Sequence, residues 1–275
     1  MIPNLLPFTG FNPAAFQFLR DLSMNNNREW FAIHKPIYEA ELLGPMRSLL
    51  NDAGQQCQME GIPLLGDPKK GLFRIYRDTR FSTDKSPYKN HIGAVLSRDG
   101  GTKGIGDLYI HIQPGETFIG GGYWHPEPDL LKKFRERISD DPHGFVRMVQ
   151  ILEGAEMPLI TDGALKRLPK GYEQESESPA ADFLKWKSFF CMKKFPDEAA
   201  QTPHFAHEVT NAARAMLPLL QYGWEIMSGW VLGIEPHIKR TPVLLGNRMH
   251  KTKIREKSNT QRFGRFVKIH PIFLE

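Results

Sequence analysis

The sequence predicts an α+β fold: an antiparallel β-meander flanked by N-terminal and C-terminal helices. Three observations predict it. Helix-start signals and 3.6-residue spacing of apolar side chains occupy the first fifty residues. Short alternating segments punctuated by Gly and Pro follow, between Leu72 and Tyr123. Helical spacing then returns from Pro126 onward. Helices, then strands, then helices is the order of an α+β domain and not of an alternating parallel sheet.

Asn12-Pro13 pairs a capping side chain with a proline at the first helical position, and Phe16, Leu19 and Leu22 follow at helical spacing. Asn27-Arg28-Glu29-Trp30 is a second start. Pro36 restarts a helix that continues through Leu42, Met46, Leu49 and Leu50, with a kink expected at Pro45. Gly61 to Gly71 is a loop. Strands are expected at Leu72–Asp78, Ile92–Arg98, Asp107–Gln113 and Glu116–Tyr123. Asp99-Gly100-Gly101 and Pro114-Gly115 supply the turns between the last three. If Gln113 and Glu116 flank a two-residue turn, His111 faces Phe118 and Tyr109 faces Gly120. One face then carries Leu108, Ile110, Ile112 and Ile119; the other carries Tyr109, His111, Gln113, Phe118, Gly120 and Gly122. Further helices are expected over Pro126–Ser139, Pro142–Leu152, Pro179–Phe190 and Pro203–Met227, the last interrupted by Pro218.

The chain has 275 residues and a net charge of +5. Residues 235–275 carry ten Lys and Arg against three acids, +7, so the remainder carries −2. The basic character therefore belongs to the tail. Nucleic-acid contact is open only to that tail, whose Pro, Asn and Gly content suits a flexible extension as well. No stretch approaches the ~20 apolar residues of a membrane span, no secretory signal opens the chain, and Cys57 and Cys191 form no disulfide framework. A cytoplasmic location without membrane association is the expectation.

Chemistry concentrates in one segment, Arg74 to His91. Alternation puts Phe73 and Ile75 on one face and Arg74, Tyr76 and Asp78 on the other. A loop then adds Arg80, Asp84, Lys85 and Tyr88. Arginine forks suit carboxylate or phosphate, so Arg74, Arg77, Arg80 and Lys85 are the candidate ligand-binding residues for a small anionic ligand. Asp78, Asp84, Tyr88 and His111 are the candidate proton-transfer groups. The competing reading gives the same residues a structural ion-pair network inside a non-catalytic interaction or scaffold domain. A concave pocket with unengaged arginine forks favours the first; arginines consumed by Asp78, Asp84 and backbone carbonyls favour the second. Likewise His111 and the strand glycines either adjoin the charged segment as one site or are a hydrogen-bonded sheet histidine beside a bulge.

The fifteen residues RIYRDTRFSTDKSPY, from Arg74 to Tyr88, resemble the signature of a widespread bacterial family, domain of unknown function 2461, at Arg74, Arg77, Asp78, Arg80, Phe81, Asp84, Lys85 and Tyr88. The resemblance runs from about Phe8 to about Met227 and includes Trp30-Phe31, His111 to Gly115, Gly120 to Trp124 and Leu168 to Tyr172; it implies a single α+β domain, 8–228, with a basic C-terminal extension, 229–275, outside the family pattern. It brings a motif and no mechanism. No cofactor or metal site is expected: there is no HExxH, P-loop, GxSxG or dinucleotide fingerprint, and His204 with His207 lacks carboxylate partners at ligating spacing. Cys191, at the end of an aromatic-rich helix, carries no nucleophile signal.

Overall fold

The computed structural model describes residues 5–80 and 83–228. The basic extension lies outside the described residues. The described residues form an α+β fold, with helices on either side of a five-stranded antiparallel sheet in the chain.

Helix α1, Pro13–Met24, begins where Asn12 accepts the Ala14 N–H at 3.2 Å. Helix α2, Arg28–Ile37, begins where Asn27 accepts the Trp30 N–H at 2.9 Å. Pro36 does not restart the helix; it lies inside α2, which runs into a π-helical turn, Tyr38–Leu43. Helix α3, Gly44–Met59, follows at once and takes Pro45 in its first turn, where a missing N–H costs no intrahelical bond. The expected kink is thus a widened turn.

Strands β1, Ile92–Leu96, β2, Asp107–Ile112, and β3, Phe118–Tyr123, form the meander. Its register is the one read from the turn: His111 pairs with Phe118 and Tyr109 with Gly120. Helices α4, Pro128–Asp140, and α5, Pro142–Gly154, come next. The segment expected to be one helix over Pro179–Phe190 is not. It holds the short α6, Ala181–Leu184, and then turns into a strand, β5, Phe189–Lys194, that pairs with β3. A continuous apolar run does not distinguish strand from helix. The free edge of β3, whose backbone groups require partners, selects the strand. Cys191 accordingly sits in mid-strand. The two-residue β4, Leu159–Ile160, closes the sheet in the order β1-β2-β3-β5-β4.

Helix α7, Asp197–Ala200, leads to α8, Phe205–Ser228, which is continuous through Pro218. Helix α8 packs on the face of the sheet that carries Leu108, Ile110, Ile119 and Tyr123, all fully buried. The Tyr123 hydroxyl donates to Leu220 O at 2.6 Å, and the Trp224 indole donates to Gly106 O at 3.1 Å. A side chain at Gly223 would lie 2.0 Å from the Tyr123 ring, so glycine sets the approach of α8 to β3. The opposite face, carrying Asp107, Tyr109, His111, Phe118, Gly120 and Phe190, is left to the charged segment.

Candidate functional site

The charged segment is a hairpin arm rather than a sheet strand. The expected strand Leu72–Asp78 survives as two single bridges, Leu72 to Ala94 and Tyr76 to Tyr88. Lys89 N–H donates to Ile75 O at 2.8 Å and Arg77 N–H to Pro87 O at 3.0 Å, which ties the two limbs of the arm together. The alternation holds: Ile75 is buried, and Arg74, Tyr76 and Asp78 are exposed.

At the tip the charges engage one another. The Arg80 guanidinium grips Asp78 through Nε at 2.9 Å and Nη2 at 2.6 Å. Arg77 pairs with Asp84, and the Arg77 side chain is 7% exposed against 52% for its partner. Ser86 donates its hydroxyl and N–H to Asp84 at 2.6 and 2.9 Å, and Lys85 donates to Thr79 O at 2.8 Å. The Arg80 bonds hold Asp78 down to a pKa of about 2. Ser86 first, and then Arg77, hold Asp84 at about 2. Arg74 makes no hydrogen bond or ion pair with the described residues. Tyr88 points into the core, stacked on Phe31 at 4.1 Å with Tyr76 at 5.4 Å, and burial raises its pKa.

His111 is fully buried. Its ring lies 4.2 Å from that of His91 and 4.7 Å from that of Phe118. Nε2 meets Gln113 Oε1 at 3.0 Å and Nδ1 meets the Tyr109 hydroxyl at 3.2 Å. A neutral ring that donates from Nε2 and accepts at Nδ1 satisfies both. Burial pushes its pKa down to about 4. Burial, with His111, Lys89 and Arg77 adding to it, pushes His91 to about 2. Both histidines are neutral near pH 7.

The base of the arm and the sheet face enclose a cavity of about 230 Å³. Phe73, Trp124 and Phe190 form its aromatic walls, and Lys89, His91, Asp107 and Tyr109 supply its polar groups. The Phe73 ring is 5.7 Å from Tyr109 and the Trp124 ring 5.6 Å from Phe190. Lys89 Nζ stands 5.8 Å from the Phe73 centroid. Burial, then the fields of Arg74 and Arg77, lowers its pKa. Burial, reinforced by Asp99, raises Asp107 from 3.8 to about 7. Among the described residues neither Lys89 nor Asp107 has an ion-pair or hydrogen-bonding partner for its charged group. Gly122, with φ of +125°, and Gly120, where a side chain would strike Phe190 at 2.8 Å, keep the floor open and flat.

The structure therefore joins His111 to the end of the charged segment through His91 and Lys89, leaves Asp78, Arg80, Asp84 and Lys85 at the exposed tip, and puts Tyr88 in the core. Asp107 went unread in the sequence, although alternation along β2 already aligns it with Tyr109 and His111. Contrary to the expectation that His204 and His207 lack a carboxylate partner, His204 pairs with Glu208, one helical turn on, at 3.2 Å; no cluster of three or more His, Cys, Asp or Glu able to hold a metal occurs among the described residues. No helix among them is long and apolar enough to cross a membrane.

Comparison with known families matches residues 14–222, most of the chain, to the profile described as conserved hypothetical protein, DUF2461. The chain belongs to the DUF2461 family. No curated protein and no solved structure matches it. The DUF2461 match contains the arm, all five strands and most of α8, and thus every residue lining the cavity.

Proposed function

We propose that this DUF2461 protein binds a small anionic ligand with a flat apolar body in the cavity at the base of the arm, and that Asp107 transfers a proton to or from it. One observation carries the reading: Lys89 and Asp107 line the same cavity, and among the described residues neither charged group has an ion-pair or hydrogen-bonding partner. A partly buried charge without a partner is costly, and a ligand supplies what the fold withholds. Lys89 meets the anion, with Arg74 and Arg77 adding positive field from the arm. Phe73, Trp124 and Phe190 take the flat body. A carboxyl near pH 7 in its titration is matched to general acid–base work at neutral pH. His111 orients Tyr109 at the cavity wall.

A second reading has its own observation. Arg77 pairs with Asp84, Arg80 with Asp78 and Lys85 with Thr79 at the tip, which favours a structural or protein-facing role for that part of the arm. Both buried cysteines are free, which fits the reducing cytoplasm this reading assumes. Nucleic-acid contact, if the chain makes any, is assigned to residues 229–275.

The test is a titration with benzoate, and with benzamide as its uncharged counterpart, followed by tryptophan fluorescence and by amide shifts. Benzoate should perturb Trp124 and Lys89, and Lys89→Met should abolish the response. Equal responses to both compounds, or benzoate shifts confined to the arm tip, would refute the cavity reading.

A further inference from the structure

A second cluster of reactive side chains lies where the chain leaves β3. His125 Nε2 is 2.6 Å from Asp162 Oδ2. The Ser188 hydroxyl donates to Asp162 Oδ1 at 2.7 Å and accepts the His125 backbone N–H at 3.0 Å. Three distant segments thus close one ring of hydrogen bonds: the exit of β3, the residues after β4 and the residue before β5. His125 holds a φ of +44°, a sparsely populated conformation for a residue with a side chain. Strained backbone of this kind gathers at functional sites.

We propose that His125 is a general base, aimed by Asp162, that activates water against an acyl carbon. At 2.6 Å from a carboxylate oxygen, Nε2 carries a proton, so in the neutral ring Nδ1 keeps the lone pair. His125 is 43% exposed and Asp162 17%, so the ring reaches solvent while its anchor is largely covered. Among the described residues nothing hydrogen-bonds to Nδ1. Ser188 is not the nucleophile: it is fully buried, its proton is given to Asp162 and its oxygen is taken by the His125 N–H. Water fills that role. Its proton passes to Nδ1, its oxygen forms the new bond to the acyl carbon, and the leaving group departs with the electron pair of the broken C–O bond. Asp162 stabilises the imidazolium until that proton is released to solvent. Glu127 and Lys187, both exposed, are the other charged side chains on the segments that meet here. The site is independent of Lys89 and Asp107, although Trp124, next in sequence to His125, lines their cavity.

Hydrolysis of p-nitrophenyl acetate by the full chain tests the proposal. His125→Asn, which tolerates the positive φ, should lower kcat/KM by about 100-fold. Asp162→Asn should lower it about 10-fold or more by freeing the wrong tautomer. His143→Asn, at an exposed histidine elsewhere, should leave it unchanged. A folded His125→Asn protein with the wild-type rate overturns the proposal and leaves the cluster as a clasp. So does a wild-type chain no faster than His143→Asn, His125→Asn and Asp162→Asn alike. Should the variants fail to fold, the tautomer in the wild-type chain decides by long-range proton–nitrogen NMR: a neutral His125 bearing its proton on Nδ1 refutes it.

Discussion

Replacing Asp107 with Asn removes the one ionisable oxygen pair in the cavity that the protein leaves unpartnered, and its effect on stability follows from the shift. The folded protein holds a proton on Asp107 up to about pH 7, whereas an unfolded Asp releases it near 3.8. Between those values the native state binds more protons than the unfolded state, so this group's contribution to stability falls as pH rises through the window. Moving that proton from 3.8 to about 7 corresponds to about 4 kcal/mol, and access of water to the half-buried carboxyl brings it to about 2–4 kcal/mol. Asn mimics the protonated acid in shape and charge. Asp107→Asn should therefore match the wild type at about pH 4 and exceed its stability by about 2–4 kcal/mol at about pH 8. Urea unfolding of both proteins across that range measures the difference. A difference that does not change with pH would refute the assignment of a raised pKa to Asp107, and a variant less stable at pH 8 would show that the carboxylate has a partner. The same variant should bind benzoate at least as tightly but lose any proton transfer, which separates affinity from chemistry.

The neighbouring histidines act with the opposite sign. Their folded pKa values, about 2 for His91 and about 4 for His111, lie below the ordinary 6.5, so their contribution is present above pH 6.5 and lost on acidification; His91→Gln should flatten the fall in Tm below pH 6.5. Gly223→Ala would set a methyl 2.0 Å from the Tyr123 ring and should cost about 3 kcal/mol, read as a drop in the urea midpoint. Arg80→Ala removes a solvent-exposed pair with Asp78 and should leave the unfolding midpoint unmoved.

Local chemistry was legible in the sequence and distant contact was not. Asn12 and Asn27 cap helices because a short polar side chain can reach its own N–H two or three residues on, a relation written in four letters. The pairing of His111 with Phe118 follows from one turn. By contrast β5 was missed because Phe189 to Met192 offers no period, and its state is decided by the open edge of β3, some seventy residues earlier. The cavity fails to show for the same reason: Phe73, Lys89, Asp107, Trp124 and Phe190 come from separate segments. Asp107 alone was within reach, by counting two residues back from Tyr109. His125, Asp162 and Ser188 are likewise common residue types at unremarkable spacing, and only the fold brings them within hydrogen-bonding distance.

The density of charge in the arm and the poverty of charge pairing in the cavity are two sides of one arrangement. Arg77 is nearly buried, and a desolvated guanidinium without a carboxylate would be expelled; Asp84 answers it, itself fixed by Ser86. Asn26 braces the returning limb from outside, its side chain bonding both the N–H and the carbonyl of Tyr88 at 3.1 and 2.9 Å. With the limbs joined at Ile75 and Lys89, the arm is stiff at the point where Lys89 and His91 turn over the sheet. A pairing network near the tip thus positions one unpaired ammonium at the base. The residues that pair with one another near the tip are the scaffold, and Lys89 and Asp107, whose charged groups lack a partner within the cavity, are where a ligand has something to gain.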